Sequence, residues 1–234
     1  MSEFKFPTEE VELPSKGLIY SKDNPLSSGK VEVKYMTARE EDILSNQAFI
    51  QKGIVLDKLL KSLIVNKDIN LDDLIVGDKN ALLISSRILG YGKDYEVTIK
   101  GQDYVIDVST LENKEIDESK YEAGKNEFNW TSETTGTVLT YRLLNGHLEK
   151  KIDREIAGLK KIDKESSHDL TTRLKHMITS VNGDETPKFI REFVDNHFLA
   201  RDSRSFREHI KATQPDVDLT YISVSYTTSP SPRD

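Results

Sequence analysis

Cysteine and histidine are the side chains that most often hold metals or act as nucleophiles and bases. The chain has no cysteine, which excludes disulfides, thiolate metal sites and cysteine nucleophiles. Its five histidines are His147, His168, His176, His197 and His209. None belongs to an HExxH motif, although a single helix would place His168 and His176 about two turns apart on one face. The histidines therefore predict no metal site.

Serine and acidic residues also lack a catalytic arrangement. The sequence contains no GxSxG elbow, and its acidic pairs Glu40-Glu41, Asp72-Asp73 and Asp184-Glu185 stand at predicted helix starts. Negative charge is favourable there because it complements the helix dipole, so these pairs need no catalytic role. The sequence predicts no catalytic residue. An enzyme with a dispersed active site remains as a distant alternative.

One segment near the C-terminus has the composition of an interface. Over residues 189–207, called here the Arg/Phe segment, arginines alternate with phenylalanines, and both types are used in protein–protein hot spots. The alternative is that the phenylalanines face the core and the arginines face water. The residues predicted to contact a partner are Phe189, Arg191, Phe193, Arg201, Arg204 and Arg207.

A second predicted contact lies in the LPSKG stretch near the N-terminus. Pro14 restricts its own φ and Gly17 permits a positive φ, so Pro14, Ser15, Lys16 and Gly17 predict a tight turn. We interpret this turn as an exposed shape that a partner can recognise. An ordinary surface turn is the alternative.

Composition limits the classes of partner. The 234-residue chain has a net charge of −7, which argues against nucleic-acid binding, since that needs clustered Lys and Arg. No apolar run approaches the roughly 20 residues needed to span a bilayer, and the acidic N-terminus lacks a signal core. We therefore expect a cytosolic protein without a membrane, nucleic-acid or small-molecule partner.

The first part of the chain predicts a strand, several helices and a hairpin. Residues 30–36 alternate like a half-buried strand, and Thr37 with Glu40 then forms a capping-box pattern that starts a helix. Helical spacing follows at residues 55–64 and again after residue 70, where the pattern ends near residue 92. Residues 95–108 predict a β-hairpin that turns at Gly101.

The second part predicts mainly helices. Strands are expected near residues 128–130 and 137–144, followed by four helices, of which the second covers residues 168–181, and by a terminal strand at 217–226. Strands and helices thus come in runs, which predicts an α+β fold. We expect a mixed region at 11–145, a mainly helical region at 146–226, and flexible termini at 1–10 and 227–234. Either the segment before Pro14 or the terminal strand could pair with another subunit or close its own sheet.

Four stretches of the first part match a known pattern. These are LPSKGLIY at Leu13–Tyr20, MTAREEDIL at Met36–Leu44, GDKNALLISSR at Gly77–Arg87, and YGKDY at Tyr91–Tyr95. Over residues 11–108 the chain resembles the T-even-type baseplate hub protein family of contractile-tailed bacteriophages. The resemblance implies a non-enzymatic protein of the virion tail baseplate, assembled in the host cytoplasm, whose partners are other baseplate, hub and tail proteins. A chaperone that leaves after hub assembly is the alternative within the family.

The hairpin departs from that family in one respect. The resemblance implies that relatives often have cysteine pairs there, similar to a small zinc-binding knuckle. This chain reads YEVTIKGQDYVIDV at the hairpin and has no cysteine. We therefore predict no metal and no cofactor, and a hairpin held by side-chain packing.

Overall fold

The computed structural model describes residues 7–99, 101–162 and 168–220 of the chain. The strands are β1 (Thr8–Glu12), β2 (Lys30–Lys34), β3 (Asp94–Ile99), β4 (Gln102–Asp107), β5 (Phe128–Thr131), β6 (Val138–Tyr141) and β7 (Ile178–Val181). The helices are α1 (Ala38–Leu44), α2 (Gln47–Gln51), α3 (Val55–Leu63), α4 (Val76–Tyr91), α5 (Gly146–Ile162), α6 (Asp169–Met177), α7 (Pro187–Glu192) and α8 (Ala200–Thr213). A π-helical turn, Phe193–His197, joins α7 to the loop before α8.

The predicted α+β class is confirmed, because the described residues form helices and three small antiparallel sheets. β1 pairs with β2, with Val11 opposite Val31. β3 and β4 form the predicted hairpin. β5, β6 and β7 form the third sheet in that order. The sheets are too small to bury a core alone, so the helices must supply much of it.

Local sequence explains the start of α1. Thr37 is the N-cap of α1, and the Glu40 carboxylate accepts the Thr37 backbone N–H at 2.9 Å. This is the capping box predicted from the sequence. The Glu40 side chain is fully buried and also accepts from Ser62 Oγ at 2.6 Å and from Lys34 Nζ at 3.0 Å. The cap thus ties α1 to both α3 and β2.

The core extends through both parts of the chain. Leu60 and Leu63 of α3 pack in the same buried cluster as Leu139 of β6 and Phe206 of α8. Aromatic rings form its C-terminal part: the Phe206 ring lies 5.2 Å from Trp130 and 5.1 Å from Tyr141, between ring centroids. Such tilted and edge-on contacts are the favourable arrangements of aromatic pairs.

The helix predicted over residues 168–181 is wrong at its end. α6 stops at Met177, and residues 178–181 form β7, which pairs with β6. The four residues Ile-Thr-Ser-Val include three β-branched side chains, which lose rotamer freedom in a helix and fit a pleated strand. β6 offers them a free edge, so tertiary pairing decides the outcome.

The N-terminal end of the chain differs in part from the predicted flexible terminus 1–10. Residues 8–12 form β1 and close the chain's own sheet with β2, so the N-terminal segment is ordered from Thr8 onward. Residues 221–226 of the predicted terminal strand, and the predicted flexible end 227–234, lie outside the described residues. Within the described part, Val217 forms an isolated antiparallel bridge with Asn113.

The third sheet crosses the predicted boundary near residue 145. Its strand β6 comes before that residue and β7 after it, so a domain boundary there would divide the sheet. Among the described residues, no helix is both long and apolar enough to cross a membrane.

Candidate partner-contact site

Asp78 is the centre of a buried polar joint that includes the LPSKG turn. Its carboxylate accepts the Ser15 N–H at 2.9 Å, the Ser15 Oγ–H at 2.7 Å and the Tyr20 O–H at 2.5 Å. Tyr20 Oη in turn accepts the backbone N–H of Ile75 at 3.2 Å. The LPSKGLIY and GDKNALLISSR stretches, about 60 residues apart, therefore meet at one buried carboxylate.

Burial dominates the electrostatics of this joint. It raises the pKa of Asp78 above the ordinary value, and the hydrogen bonds from Ser15 and Tyr20 oppose that shift. Burial and the neighbouring Asp78 carboxylate also raise the pKa of Tyr20, so the phenol remains a donor. The joint contains a serine, a tyrosine and an acid, residue types that also occur in active sites. Here their polar atoms are buried and hydrogen-bond to one another, which is typical of a structural role.

The turn around the joint is closely packed. Gly17 has a φ of +77°, and a Cβ on it would lie 2.5 Å from the Ser27 carbonyl oxygen and 2.6 Å from the Gly29 nitrogen. A Cβ on Gly77 would lie 2.0 Å from the Pro215 carbonyl oxygen. Close backbone approach therefore requires glycine at both positions, and at Gly17 the positive φ requires it as well.

The prediction that the LPSKG turn is exposed is wrong for three of its four residues. Pro14, Ser15 and Gly17 are buried, because the turn packs over Asp78 and against the loop at residues 27–29. Lys16 alone is exposed, and its ammonium pairs with Glu118 at 2.6 Å. Of the four, only Lys16 offers a surface to a partner.

The Arg/Phe segment divides between core and surface. Phe193 and Phe206 are buried, whereas Phe189 keeps 40% of its surface exposed. The arginines at 191, 201, 204 and 207 are exposed, as the alternative interpretation of this segment expects. Phe189, Arg201, Arg204 and Arg207 thus remain available to a partner, and their contact role stays a prediction.

Arg191 takes part in a charged cluster between helices. Its guanidinium donates to both oxygens of Glu155, at 2.7 and 3.1 Å, and His176 Nε2 lies 2.8 Å from the same carboxylate. The Arg191 hydrogen bonds lower the pKa of Glu155 to about 2. The cluster connects α5, α6 and α7, which gives Arg191 a structural role.

Two of the cavities that open at the surface of the described residues are lined by the elements above. The larger, about 720 Å³, lies between the start of α4 and helices α5, α6 and α8, and ion pairs such as Lys79–Asp57 and Arg173–Glu149 line its rim. The smaller, about 380 Å³, is lined by Tyr121, Phe128 and His209 among others.

In the described part of the chain no group of three or more His, Cys, Asp or Glu is arranged to hold a metal.

Sequence reasoning missed the surface of the hairpin as a candidate contact. β3 and β4 leave Tyr95 45% exposed and Val105 60% exposed. The alternation of residues 95–108 predicted the two strands correctly. It could not show that side chains of the hairpin are exposed instead of packed against the core. That feature depends on tertiary packing.

Comparison of the chain with protein-family models, with curated proteins and with solved structures found no match.

Proposed function

We propose that this protein is a structural subunit of the baseplate hub of a contractile-tailed phage, acting through protein–protein contacts. The observation that supports it is the joint at Asp78. The residues on which the resemblance rests, Ser15, Gly17 and Tyr20 in one stretch and Gly77 and Asp78 in another, form one physical unit. Motif residues that meet in a buried joint define a scaffold, which is what a structural subunit needs.

The surface is compatible with such a role. Large apolar side chains are exposed on several elements, including Phe189 on α7, Tyr95 on β3 and Val105 on β4. Aromatic and apolar side chains of this kind form the centres of protein–protein interfaces. A chaperone that helps to assemble the hub and then leaves would use the same surfaces, and it remains the second candidate.

Mass spectrometry of purified mature tails, and of baseplate assembly intermediates, tests the proposal. A small fixed copy ratio to the other hub proteins in mature tails supports the structural subunit. Presence in intermediates together with absence from mature tails supports the chaperone. Absence from both contradicts the proposed function.

Contact variants refine the test. We expect Phe189→Ser and Arg201→Ser to leave the fold intact and to reduce the copy number of the chain in tails, because both side chains are exposed. Ile50→Ser, on exposed α2 and outside the Arg/Phe segment, is the control for a general effect of surface polarity. Equal incorporation of all three variants would remove the Arg/Phe segment from the contact surface.

A further inference from the structure

The hairpin β3–β4 has outward main-chain groups along the edge of each strand. In the described part of the chain, each of its strands pairs only with the other. A two-stranded hairpin alone is marginally stable in water, and a third strand would stabilise it. An exposed edge of this kind is also a template for pairing with another chain.

The hydrogen-bond alternation identifies which groups point outward. Val108 N–H donates to the Lys93 carbonyl at 2.9 Å, which makes Lys93 and Val108 a hydrogen-bonded pair. Because such pairs alternate along an antiparallel ladder, the even-numbered residues of β4 bond to β3. The main-chain groups of Asp103, Val105 and Asp107 therefore point away from the hairpin.

Each edge of the hairpin has one outward carbonyl already bonded, but only at β3 is the donor a cationic side chain, which would repel a basic segment. At the start of β3, the Arg87 guanidinium donates to the Asp94 carbonyl at 3.1 Å and so occupies that edge. On β4 the Asp107 carbonyl accepts from Thr110 Oγ1 at 2.7 Å. Within residues 7–99, 101–162 and 168–220, no bond is made by the outward N–H and C=O of Asp103 and Val105 or by the N–H of Asp107, so these groups can pair with an added strand.

Charge identifies the kind of strand that fits. One face of the hairpin carries the side chains of Asp94, Glu96, Thr98, Asp103, Val105 and Asp107, and four of these six residues are acidic. Lys93 pairs with Asp107 at 2.7 Å, which leaves the face with a net negative charge. A segment with basic side chains complements it.

A second copy of the chain fits this edge poorly in the register that pairs all three outward residues. Pairing β4 with its own copy about a two-fold axis at Val105 would place Asp103 opposite the copy's Asp107, twice. Like charges directly opposite one another destabilise a sheet. A basic segment of a different polypeptide meets no such repulsion, so it is the occupant that the charge of this face favours.

We propose that the β4 edge binds an extended segment of a partner protein by β-strand addition. The segment has Lys or Arg opposite Asp103 and Asp107, and apolar residues opposite Val105 and its two neighbours. The segment thus has one basic residue, then three apolar residues, then a second basic residue. This pattern reads the same in both chain directions. The inference stands on the hairpin itself and does not depend on membership of a baseplate.

A synthetic peptide tests it directly. The probe is acetyl-Thr-Lys-Val-Val-Val-Lys-Thr-amide, and the control has Glu in place of both Lys. We expect saturable binding of the probe to the full chain, weaker at high salt, and binding of the control at least about tenfold weaker. In NMR hydrogen exchange, the probe should protect the amides of Asp103, Val105 and Asp107, whereas those of Tyr104 and Ile106 are already protected by β3.

A matched pair of variants separates edge binding from hairpin stability. Val105→Pro removes an outward N–H and no bond of the β3–β4 ladder, so the variant should keep its Tyr104 protection and lose at least about tenfold in affinity. Val105→Thr keeps the N–H and should bind the probe like the natural chain.

Three outcomes would overturn the proposal. The first is equal binding of the Lys and Glu peptides, or none by either. The second is concentration-dependent self-association that protects Asp103, Val105 and Asp107, which would make a second copy the occupant. The third is binding of the probe only after removal of residues 221–234, which would show that the chain's own end takes this edge. Equal binding with and without residues 221–234 supports the partner segment.

Discussion

Asp78 and Glu40 are both buried carboxylates, yet their surroundings shift their pKa values in opposite directions. For Asp78, burial outweighs three hydrogen bonds and raises the pKa. For Glu40, burial also raises the pKa, but hydrogen bonds from Ser62 and Thr37 together with Lys34 outweigh it and lower the pKa to about 2. An adjacent ammonium group distinguishes Glu40 from Asp78.

Asp78→Asn should lower the free energy of unfolding by about 2 kcal/mol at pH 7, because an amide cannot accept from all three donors. The folded state binds the Asp78 proton more tightly than the unfolded state, so the carboxyl adds stability as the pH falls through its folded pKa toward 3.8. The deficit of the variant should therefore grow toward pH 4. Urea denaturation at pH 7 and pH 4 measures it, with the exposed Asp68→Asn as the control. A deficit that shrinks on acidification would contradict the assigned direction.

Glu40→Gln should show the opposite pH dependence. Removing one partner of a buried ion pair costs about 3 kcal/mol, so the loss is largest near neutral pH. Since the folded pKa of about 2 lies below the ordinary 4.5, the contribution of Glu40 is present above pH 4.5 and is lost as the pH falls toward 2. The gap between natural chain and variant should narrow between pH 5 and pH 3 in the same urea assay. Glu41→Gln, exposed on the next residue, should show neither effect.

At the scale of elements, most helices and the hairpin follow from local signals. The capping box at Thr37 and the Thr186-Pro187 start of α7 are determined by a few neighbouring residues, so they were predictable. Strand β7 was not predictable, because it forms by pairing with the edge of β6, about 40 residues away in sequence. The burial of the LPSKG turn was not predictable either. The residue types in a turn determine its backbone conformation but not which other residues pack against it. Asp78, the residue that packs there, was assigned no role from the sequence.

The packing of the turn makes a sharp prediction for two glycines with positive φ. Gly17→Ala should destabilise the fold by about 3 kcal/mol or more, because a strained φ combines with backbone atoms 2.5 Å from the new Cβ. Gly53 has a φ of +65° and nothing within 4 Å of such a Cβ, so Gly53→Ala should cost only about 1 kcal/mol of conformational strain. Chemical denaturation of both variants gives the comparison. Equal losses would show that the contacts at Gly17 relax, and that conformation alone sets the cost.

At the scale of the whole molecule, sequence patterns predicted the fold class but not which distant segments pair. The runs of strands and helices predicted α+β, and charge and hydropathy argued against nucleic-acid and membrane partners. The change of composition near residue 145 indicated a boundary there, whereas β6 and β7 pair across it and the buried cluster includes side chains from both parts. Long-range pairing is weakly encoded in local pattern, because any free strand edge accepts many sequences.

Shared pairing and a shared core predict one cooperative unfolding transition for residues on both sides of position 145. Phe206→Ala, at a site with no exposed surface, should lower the free energy of unfolding by about 4 kcal/mol, whereas Phe189→Ala, at a 40% exposed site, should lower it by about 1 kcal/mol. Fluorescence of Trp130, the only tryptophan in the sequence, reports on the sheet next to Phe206, and far-UV circular dichroism reports on all helices. We expect the two signals to coincide in the natural chain and to shift together in Phe206→Ala. If the midpoint of the tryptophan transition shifts in Phe206→Ala and the midpoint of the circular dichroism transition does not, the two parts unfold separately. The boundary near residue 145 would then be real despite the sheet that crosses it.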